Sequence, residues 1–308
     1  MPEIFNQALL KIFGDAQAAL ARAEERLALT PKPDVLRAQL RLMEQEALGF
    51  VEGKLVSPTA LTIDYGHSRT AYRQWPFEFA SLFGRPLPSG KPPTPDKMSE
   101  WLGDPSRQTD ATPDRIEAWQ RQSKPSCALP RLIAGADLAA RWLKCAPLLR
   151  GNVVAGVIIG DLYSTARSSL SSGGIAAIGM KRQRIYWMRV VGGDADDDLD
   201  DTPPIQMWRM AWLKAMTDGA NAVLELDDRL RRYWTHVENS ALFVRRSSRM
   251  ADLVELVAQR PAITVRGASE ALNISRQAAH SLIQSAESAL LLRETTRGKS
   301  FRRYVAAF

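Results

Sequence analysis

The sequence predicts a mainly α-helical protein that ends in a small β-hairpin. Along most of its 308 residues, apolar side chains recur at intervals of three and four, which is the spacing of a helix with one buried face. Strand-like alternation is confined to the extreme C-terminus. Apolar residues make up 45% and charged residues 24% of the chain, as in average soluble globular proteins. This composition excludes wholesale disorder and a fibrous class.

The length corresponds to two or three domains at about 100 to 200 residues per domain. Seven of the eighteen prolines fall between Pro86 and Pro113, which indicates a long surface loop. Changes in composition predict the following segments: an N-terminal helical part at 1–85, the proline-rich loop at 86–113, a helical core at 114–190, an acidic loop at 191–204, linking helices at 205–245 and a C-terminal domain at 246–308.

The helices of the N-terminal part and the core are delimited by proline and glycine. Two helices are expected at 3–29 and 34–50, because the prolines between them cannot continue a helix. Another pair is expected from Ala134 to Tyr163, with a break at Pro147 and Gly151. Serine and glycine at 164–174 predict a solvated loop.

The acidic loop carries six aspartates between Gly192 and Pro204. Asp194, Asp196 and Asp198 have the alternate spacing of a calcium loop. The glycine and the glutamate that such a loop requires are absent, so we expect a solvated loop without a metal ion.

A long helical stretch is expected to begin at Thr202 and Pro203, an N-cap and first-turn pair. Gly219 is a candidate break in it. Trp208 and Trp212, four residues apart, indicate either a dimerisation surface or core packing. The buried side is expected to contain Met207, Met210, Ala211, Leu213, Leu224, Leu226 and Leu230.

The positive charge of the chain is concentrated at its C-terminal end. Residues 245–308 contain eleven Lys and Arg against five Asp and Glu, a net +6 of the total +7. A local excess of this size indicates a polyanionic partner for this region.

The same region has the pattern of a helix-turn-helix. Met250, Leu253, Val254 and Val257 form the apolar stripe of a first helix that ends before Pro261. A second helix is expected at Val265–Leu272, followed by a three-residue turn. Ser275 is a good N-cap for a third helix that begins at Arg276.

The third helix has two different sides. Ala279, Ile283 and Ala286 fall on one side and suit packing against the first two helices. Arginine can fork onto guanine and glutamine onto adenine, so the opposite side has the chemistry for base edges. The candidate DNA-reading residues are Ser275, Arg276, Gln277, His280, Ser281 and Gln284.

Two strands are expected after the third helix, at 290–295 and 301–305. They form a hairpin wing whose basic residues can reach phosphates, which makes the domain a winged helix-turn-helix. The candidate phosphate contacts are Arg297, Lys299, Arg302 and Arg303. The alternative is a winged helix that contacts only proteins.

The segment 146–157 resembles the active-site loop of Fic-domain nucleotidyltransferases, His-Pro-Phe-x-(Asp/Glu)-Gly-Asn-Gly-Arg-x-Gly-Arg, and lies between two predicted helices as that fold requires. The matching positions are Pro147, Gly151, Asn152 and Gly156. Glu52 and Gly53 are similar to the autoinhibitory Glu-Gly motif of the family, with Leu48 in place of its Ser/Thr. The resemblance implies a Fic-like helical body.

The catalytic positions of the motif are replaced. Ala146 stands at the histidine that acts as general base, and Arg150 stands at the acid that binds the metal. Val153 and Val154 replace the phosphate-holding Gly-Arg, and Val157 replaces the last arginine. Nucleotidyl transfer needs all three functions, so the resemblance implies a degenerate, catalytically inactive domain.

The order of parts, from 36–40 and Glu52-Gly53 to Phe301-Arg302-Arg303-Tyr304, resembles a helix-turn-helix family of unknown function that occurs in rhizobia and is often plasmid-encoded. This resemblance covers most of the chain except the proline-rich loop. It implies a DNA-binding regulator built on a Fic-like body, and it supplies no established site.

Our leading hypothesis is a sequence-specific transcriptional regulator that binds double-stranded DNA as a homodimer. The alternatives are an antitoxin-like or plasmid-maintenance protein that acts through a protein partner, and a residual nucleotidyltransferase. Because the chain lacks HExxH, GxSxG and GxGxxG motifs, and the segment 146–157 lacks the GKS/GKT of a P-loop, we expect no enzyme activity and no cofactor. The N-terminus lacks the pattern of a signal peptide, so we expect a cytoplasmic protein without a membrane span.

Overall fold

The computed structural model describes residues 7–53, 97, 100, 113–123, 129–148, 151–165, 170–184, 203–240, 249–296 and 302–308. Within these ranges the chain forms ten α-helices and one two-stranded antiparallel sheet near its C-terminus. The prediction of a mainly helical protein with a small hairpin is therefore confirmed. None of these described helices has an apolar stretch long enough to cross a membrane.

The elements are α1 (Gln7–Leu29), α2 (Pro33–Val51), α3 (Pro113–Gln122), α4 (Arg131–Cys145), α5 (Asn152–Ser164), α6 (Ile175–Gln183), α7 (Pro203–Asn239), α8 (Met250–Ala258), α9 (Val265–Leu272), α10 (Arg276–Ser288), β1 (Leu292–Glu294) and β2 (Tyr304–Ala306).

The chain divides into two compact units. The described residues of the first unit lie within Met1–Glu25, Glu44–Leu55 and Arg73–Ala222. Those of the second unit lie within Arg26–Met43 and Val223–Phe308. Helices α1, α2 and α7 contribute residues to both units.

Close helix packing through small residues builds the first unit. A Cβ atom added at Gly160 of α5 would lie 2.6 Å from the Gly135 carbonyl oxygen of α4, so only glycine permits this approach. Trp119 of α3 and Trp142 of α4 are fully buried, with ring centroids 5.2 Å apart in an edge-to-face arrangement. Arg209 of α7 donates from Nε and a terminal nitrogen to Asp137 of α4, both at 2.8 Å.

Helix α7 differs from the sequence prediction in three ways. It continues through Gly219, which packs against Ile175 where a side chain would clash, so this glycine marks a close contact and not a break. Met207, expected in the core, is 63% exposed. Trp208 and Trp212 are buried, so the dimerisation surface proposed on them is wrong. The tryptophans take the core-facing positions, and this turns Met207 outward.

The segment before α6 also differs from its prediction. Residues 164–174 were expected to form a solvated loop, yet Leu170, Gly173 and Gly174 are buried. Serine and glycine here allow tight turns and backbone hydrogen bonding to buried side chains, which hydropathy alone does not reveal. Two residues in the predicted proline-rich loop, Lys97 and Glu100, are helical.

Several sequence predictions fall outside the described residues. These are a further short helix that Ser57-Pro58 predicts as an N-cap and first-turn pair, most of the proline-rich loop, the aspartates of the acidic loop and the N-cap at Thr202.

The second unit contains the C-terminal elements. The predicted stripe on α8 is buried, and α8 ends at Ala258, before Pro261. Strands β1 and β2 pair with Leu292 opposite Ala306 and Glu294 opposite Tyr304. Tyr304 also forms an antiparallel bridge with Ile263, between α8 and α9.

Residues on or next to two other helices, α2 and α7, hold this arrangement within the second unit. Lys32 at the start of α2 lies 2.6 Å from a carboxylate oxygen of Glu255 on α8. Gln39 of α2 donates to the Ala258 carbonyl oxygen at 2.6 Å. The Tyr233 hydroxyl of α7 donates to the Leu291 carbonyl oxygen at 3.0 Å, just before β1. Polar contacts therefore fix both α8 and the hairpin.

The glycine contacts generate a stability prediction. We expect Gly179→Ala to destabilise the first unit by about 1 to 3 kcal/mol or more, because its Cβ would overlap the Ala215 carbonyl oxygen. Gly14→Ala, in the exposed part of α1 with nothing within 4 Å, should stabilise it by about 0.5 to 1 kcal/mol. Urea unfolding of the full chain measures both. Equal effects of the two substitutions would contradict this packing.

Candidate functional site

A short, closed turn joins α9 to α10. Asn273 ends α9 in the left-handed conformation, at φ 52°, which asparagine tolerates better than most residues. The Ile274 N–H donates to the Ser269 carbonyl oxygen at 3.1 Å, and the Ser269 hydroxyl donates to the Ile274 carbonyl oxygen at 2.6 Å. Ser275 accepts from the Ala278 N–H at 3.1 Å, as an N-cap. These bonds set the direction in which α10 leaves the turn.

Helix α10 is buried along one side only. Ala279, Ile283 and Ala286 are fully buried, as the sequence predicts. The six candidate DNA-reading residues are all exposed: Ser275, Arg276, Gln277, His280, Ser281 and Gln284. Packing thus fixes the helix while its polar side chains face solvent.

The outward side chains have no partner among the described residues. Arg276, Gln277, His280, Ser281 and Gln284 form no hydrogen bond or ion pair with them. The chain contains no Asp or Glu between Glu270 and Glu287, so no acid of α10 neutralises its first three turns.

Nearby arginines of the second unit behave differently. Arg266 of α9 lies 2.6 Å from a carboxylate oxygen of Glu270. Arg249 pairs with Asp252 at 3.2 Å and donates to the Leu272 carbonyl oxygen at 2.8 Å. The unpartnered polar groups are therefore a property of the outer face of α10 and not of every basic residue around it.

The hairpin changes the set of candidate phosphate contacts. Arg302 lies 3.6 Å from a carboxylate oxygen of Glu294, so its charge is partly neutralised. Arg303 is half-buried, and its N–H donates to the Thr296 hydroxyl at 3.0 Å. Arg297 and Lys299 lie outside the described residues.

Sequence reasoning missed Arg293 as a candidate contact. Arg293 is exposed on β1, between buried Leu292 and half-buried Glu294, and it forms no ion pair with described residues. The alternation of a strand would have indicated this, because residue 293 faces away from residue 292.

The segment that resembles the Fic loop lies between α4 and α5. Ala146 and Gly151 have positive φ values of 41° and 68°. The Asn152 side-chain oxygen accepts from the Leu148 N–H at 3.3 Å. Glu52 Oε1 accepts from the Gly151 N–H at 3.1 Å. Arg150 lies outside the described residues.

This second candidate is occupied by contacts within the chain. Arg115 of α3 donates to the Ala146 carbonyl oxygen at 3.0 Å. Valine side chains stand at the phosphate-holding positions, and Val154 and Val157 are buried. The described residues of the segment thus offer backbone groups, the Asn152 amide and apolar side chains, and no imidazole.

A third cluster is a buried carboxyl pair in the first unit, which sequence reasoning also missed. Glu44 of α2 accepts from the Ser172 and Gly174 N–H groups at 2.9 and 3.2 Å, and its Oε1 lies 3.1 Å from the Ser171 hydroxyl oxygen. Asp161 of α5 accepts from the Ser171 hydroxyl and, at 2.7 Å, from the Ala176 N–H. The two acids therefore fix the chain where it enters α6.

Burial raises the pKa of both carboxyl groups. Loss of solvation, and then the nearby Asp161 carboxylate, raises the pKa of Glu44 to about 8. Loss of solvation raises the pKa of Asp161 to about 6, against the opposing effect of its hydrogen bonds. Both side chains are fully buried, so the pair is a structural clamp and not a site that a ligand reaches.

Among the described residues, no group of three or more His, Cys, Asp or Glu is arranged to hold a metal ion. Comparison with known proteins finds no family model that matches the chain and no similar curated protein. The functional argument therefore depends on the geometry of the chain.

The carboxyl pair predicts how stability depends on pH. A raised pKa means that the folded state retains a proton that the unfolded state loses. The contribution of Glu44 is fully present below its ordinary pKa of 4.5 and is lost as the pH rises through about 8. We expect the free energy of unfolding to fall by up to about 1.4 kcal/mol per pH unit in this window.

Glu44→Gln should flatten that slope, because glutamine does not titrate. Glu24→Gln, at an exposed position of α1, is the matched control and should leave it unchanged. Urea unfolding between pH 5 and 9 measures all three proteins. The same slope in wild type and Glu44→Gln would show that Glu44 does not carry this proton.

Proposed function

We propose that this protein is a sequence-specific DNA-binding transcriptional regulator that reads double-stranded DNA through the outer face of α10. One observation carries the proposal. A helix whose orientation is fixed by a capped turn and a buried face presents five adjacent polar side chains that have no partner among the described residues. Groups of this kind, on a helix that can enter a major groove, suit hydrogen bonding to base edges.

The order of elements supports a winged helix-turn-helix as the DNA-binding domain. In such a domain a first helix, a short strand, a helix-turn-helix and a hairpin follow one another. Here α8, the bridge at Ile263, α9, α10 and the β1–β2 hairpin come in that order. The net +6 of residues 245–308 suits a phosphate-rich partner.

The position of Arg276 gives independent support. It is the first residue of α10, where the helix dipole disfavours a positive charge by about 0.3 to 1 kcal/mol. No acidic side chain of the described residues offsets this cost. A cation kept at an unfavourable position suits contact with an anion from outside the chain.

The helical body, in this proposal, is a degenerate Fic-like domain that serves in dimerisation or sensing. The two helices flanking 146–151, and the contact of Glu52 with the Gly151 N–H, support the resemblance. A single recognition helix contacts only a few base pairs, so we propose a homodimer that binds two half-sites.

Selection of genomic fragments tests the function. Full-length protein is incubated with fragmented DNA at about 0.15 M salt, where nonspecific phosphate binding is weak. We expect wild type to enrich a palindromic sequence, and Arg276→Ala/Gln277→Ala to reduce that enrichment strongly, because the double substitution removes the exposed amide of Gln277 and the exposed cation of Arg276 from the outer face of α10.

The matched control is Gln17→Ala/Arg229→Ala, which removes the same two side-chain types from exposed positions on α1 and α7. It should enrich the same sequence as wild type. Equal, weak retention of all fragments by every protein would contradict sequence-specific binding. That result would favour the alternative of a module that contacts proteins.

A further inference from the structure

The polar side chains of α10 differ in how directly they face away from the buried side of the helix. At about 100° per residue, Ser281 points within about 15° of the direction opposite the three buried residues, and Gln277 and Gln284 lie within about 30° and about 50° of it. These three residues form the centre of the exposed arc. Arg276 lies on its edge, only about 20° from the direction of buried Ile283.

We propose that α10 reads two A·T base pairs about three base pairs apart, one through Gln277 and one through Gln284. This inference rests on the proposed function and specifies its target. The amide nitrogen of a glutamine can donate to N7 of adenine while its oxygen accepts from the N6 amino group. This bidentate pairing distinguishes adenine from the other bases. Neither amide is engaged by a described residue, so both are available.

The spacing follows from helix geometry. Gln277 and Gln284 are separated by seven residues, or about 10.5 Å along the axis. Base pairs in B-DNA are about 3.4 Å apart, so a helix that lies along the groove places the two amides about three base pairs apart. Ser281, between them, can donate or accept and therefore tolerates several bases at the middle position.

The edge of the arc has a different role. Arg276 and His280 lie on the same flank of the helix, because their directions around the helix axis differ by only about 40°. Because this flank borders the buried side, their side chains are directed toward the wall of the groove, where the phosphates lie. We assign Arg276 to a phosphate and not to a base edge.

Selection from a randomised duplex library at about 0.15 M salt tests this assignment with full-length wild type, Gln277→Ala, Gln284→Ala and Arg276→Ala. Each glutamine variant should lose the preference for adenine at one position only, by roughly 10- to 100-fold. The two affected positions should be about three base pairs apart. Arg276→Ala should weaken binding to all sequences equally and reduce the salt slope by about one.

Two controls separate folding from recognition. Gln17→Ala, on α1, should leave the selected sequence unchanged, and circular dichroism should be the same for all variants because every substituted side chain is exposed. The inference is overturned if wild type selects a sequence but the glutamine variants keep its base preferences, relax a single shared position, or lose a base other than adenine. If wild type selects no sequence, the proposed function itself fails.

Discussion

Helix α10 packs on the second unit through Ala279, Ile283 and Ala286, and this contact fixes its rotation about its own axis. The turn before it is closed by Ser269 and Ser275, which fixes its direction. A helix that could rotate would present a mixture of faces, and no arrangement of polar side chains on it would be reproducible. Fixed packing makes the positions of Gln277 and Gln284 properties of the fold.

The second unit could be predicted closely from the sequence because local signals and tertiary packing agree there. The N-cap at Ser275 and the three-residue turn before it mark where α9 ends and α10 begins, and the buried stripes lie where periodicity indicates. The roles of individual arginines were harder to predict from the sequence. The partner of Arg302 depends on the register of the two strands, which brings this arginine close to Glu294.

The first unit was harder to predict because its helices pack through glycines and buried polar groups. By sequence Gly219 is a candidate break, whereas in the structure its missing side chain allows close approach to Ile175. Ser171, Ser172 and Gly174 were interpreted as a solvated loop, whereas they bind Glu44 inside the protein. A charged residue in a sequence usually indicates an exposed position. The periodicity of apolar residues therefore could not reveal that Glu44 is buried.

Photocrosslinking from position 281 tests the central claim that the outer face of α10 enters DNA. A photoreactive residue replaces Ser281 in one protein and Arg229 of α7 in a second, and each is irradiated with the duplex that wild type selects. We expect position 281 to crosslink to bases in each half-site and position 229 to give no base crosslinks. Absence of base crosslinks from position 281 in a complex that still forms would contradict the account.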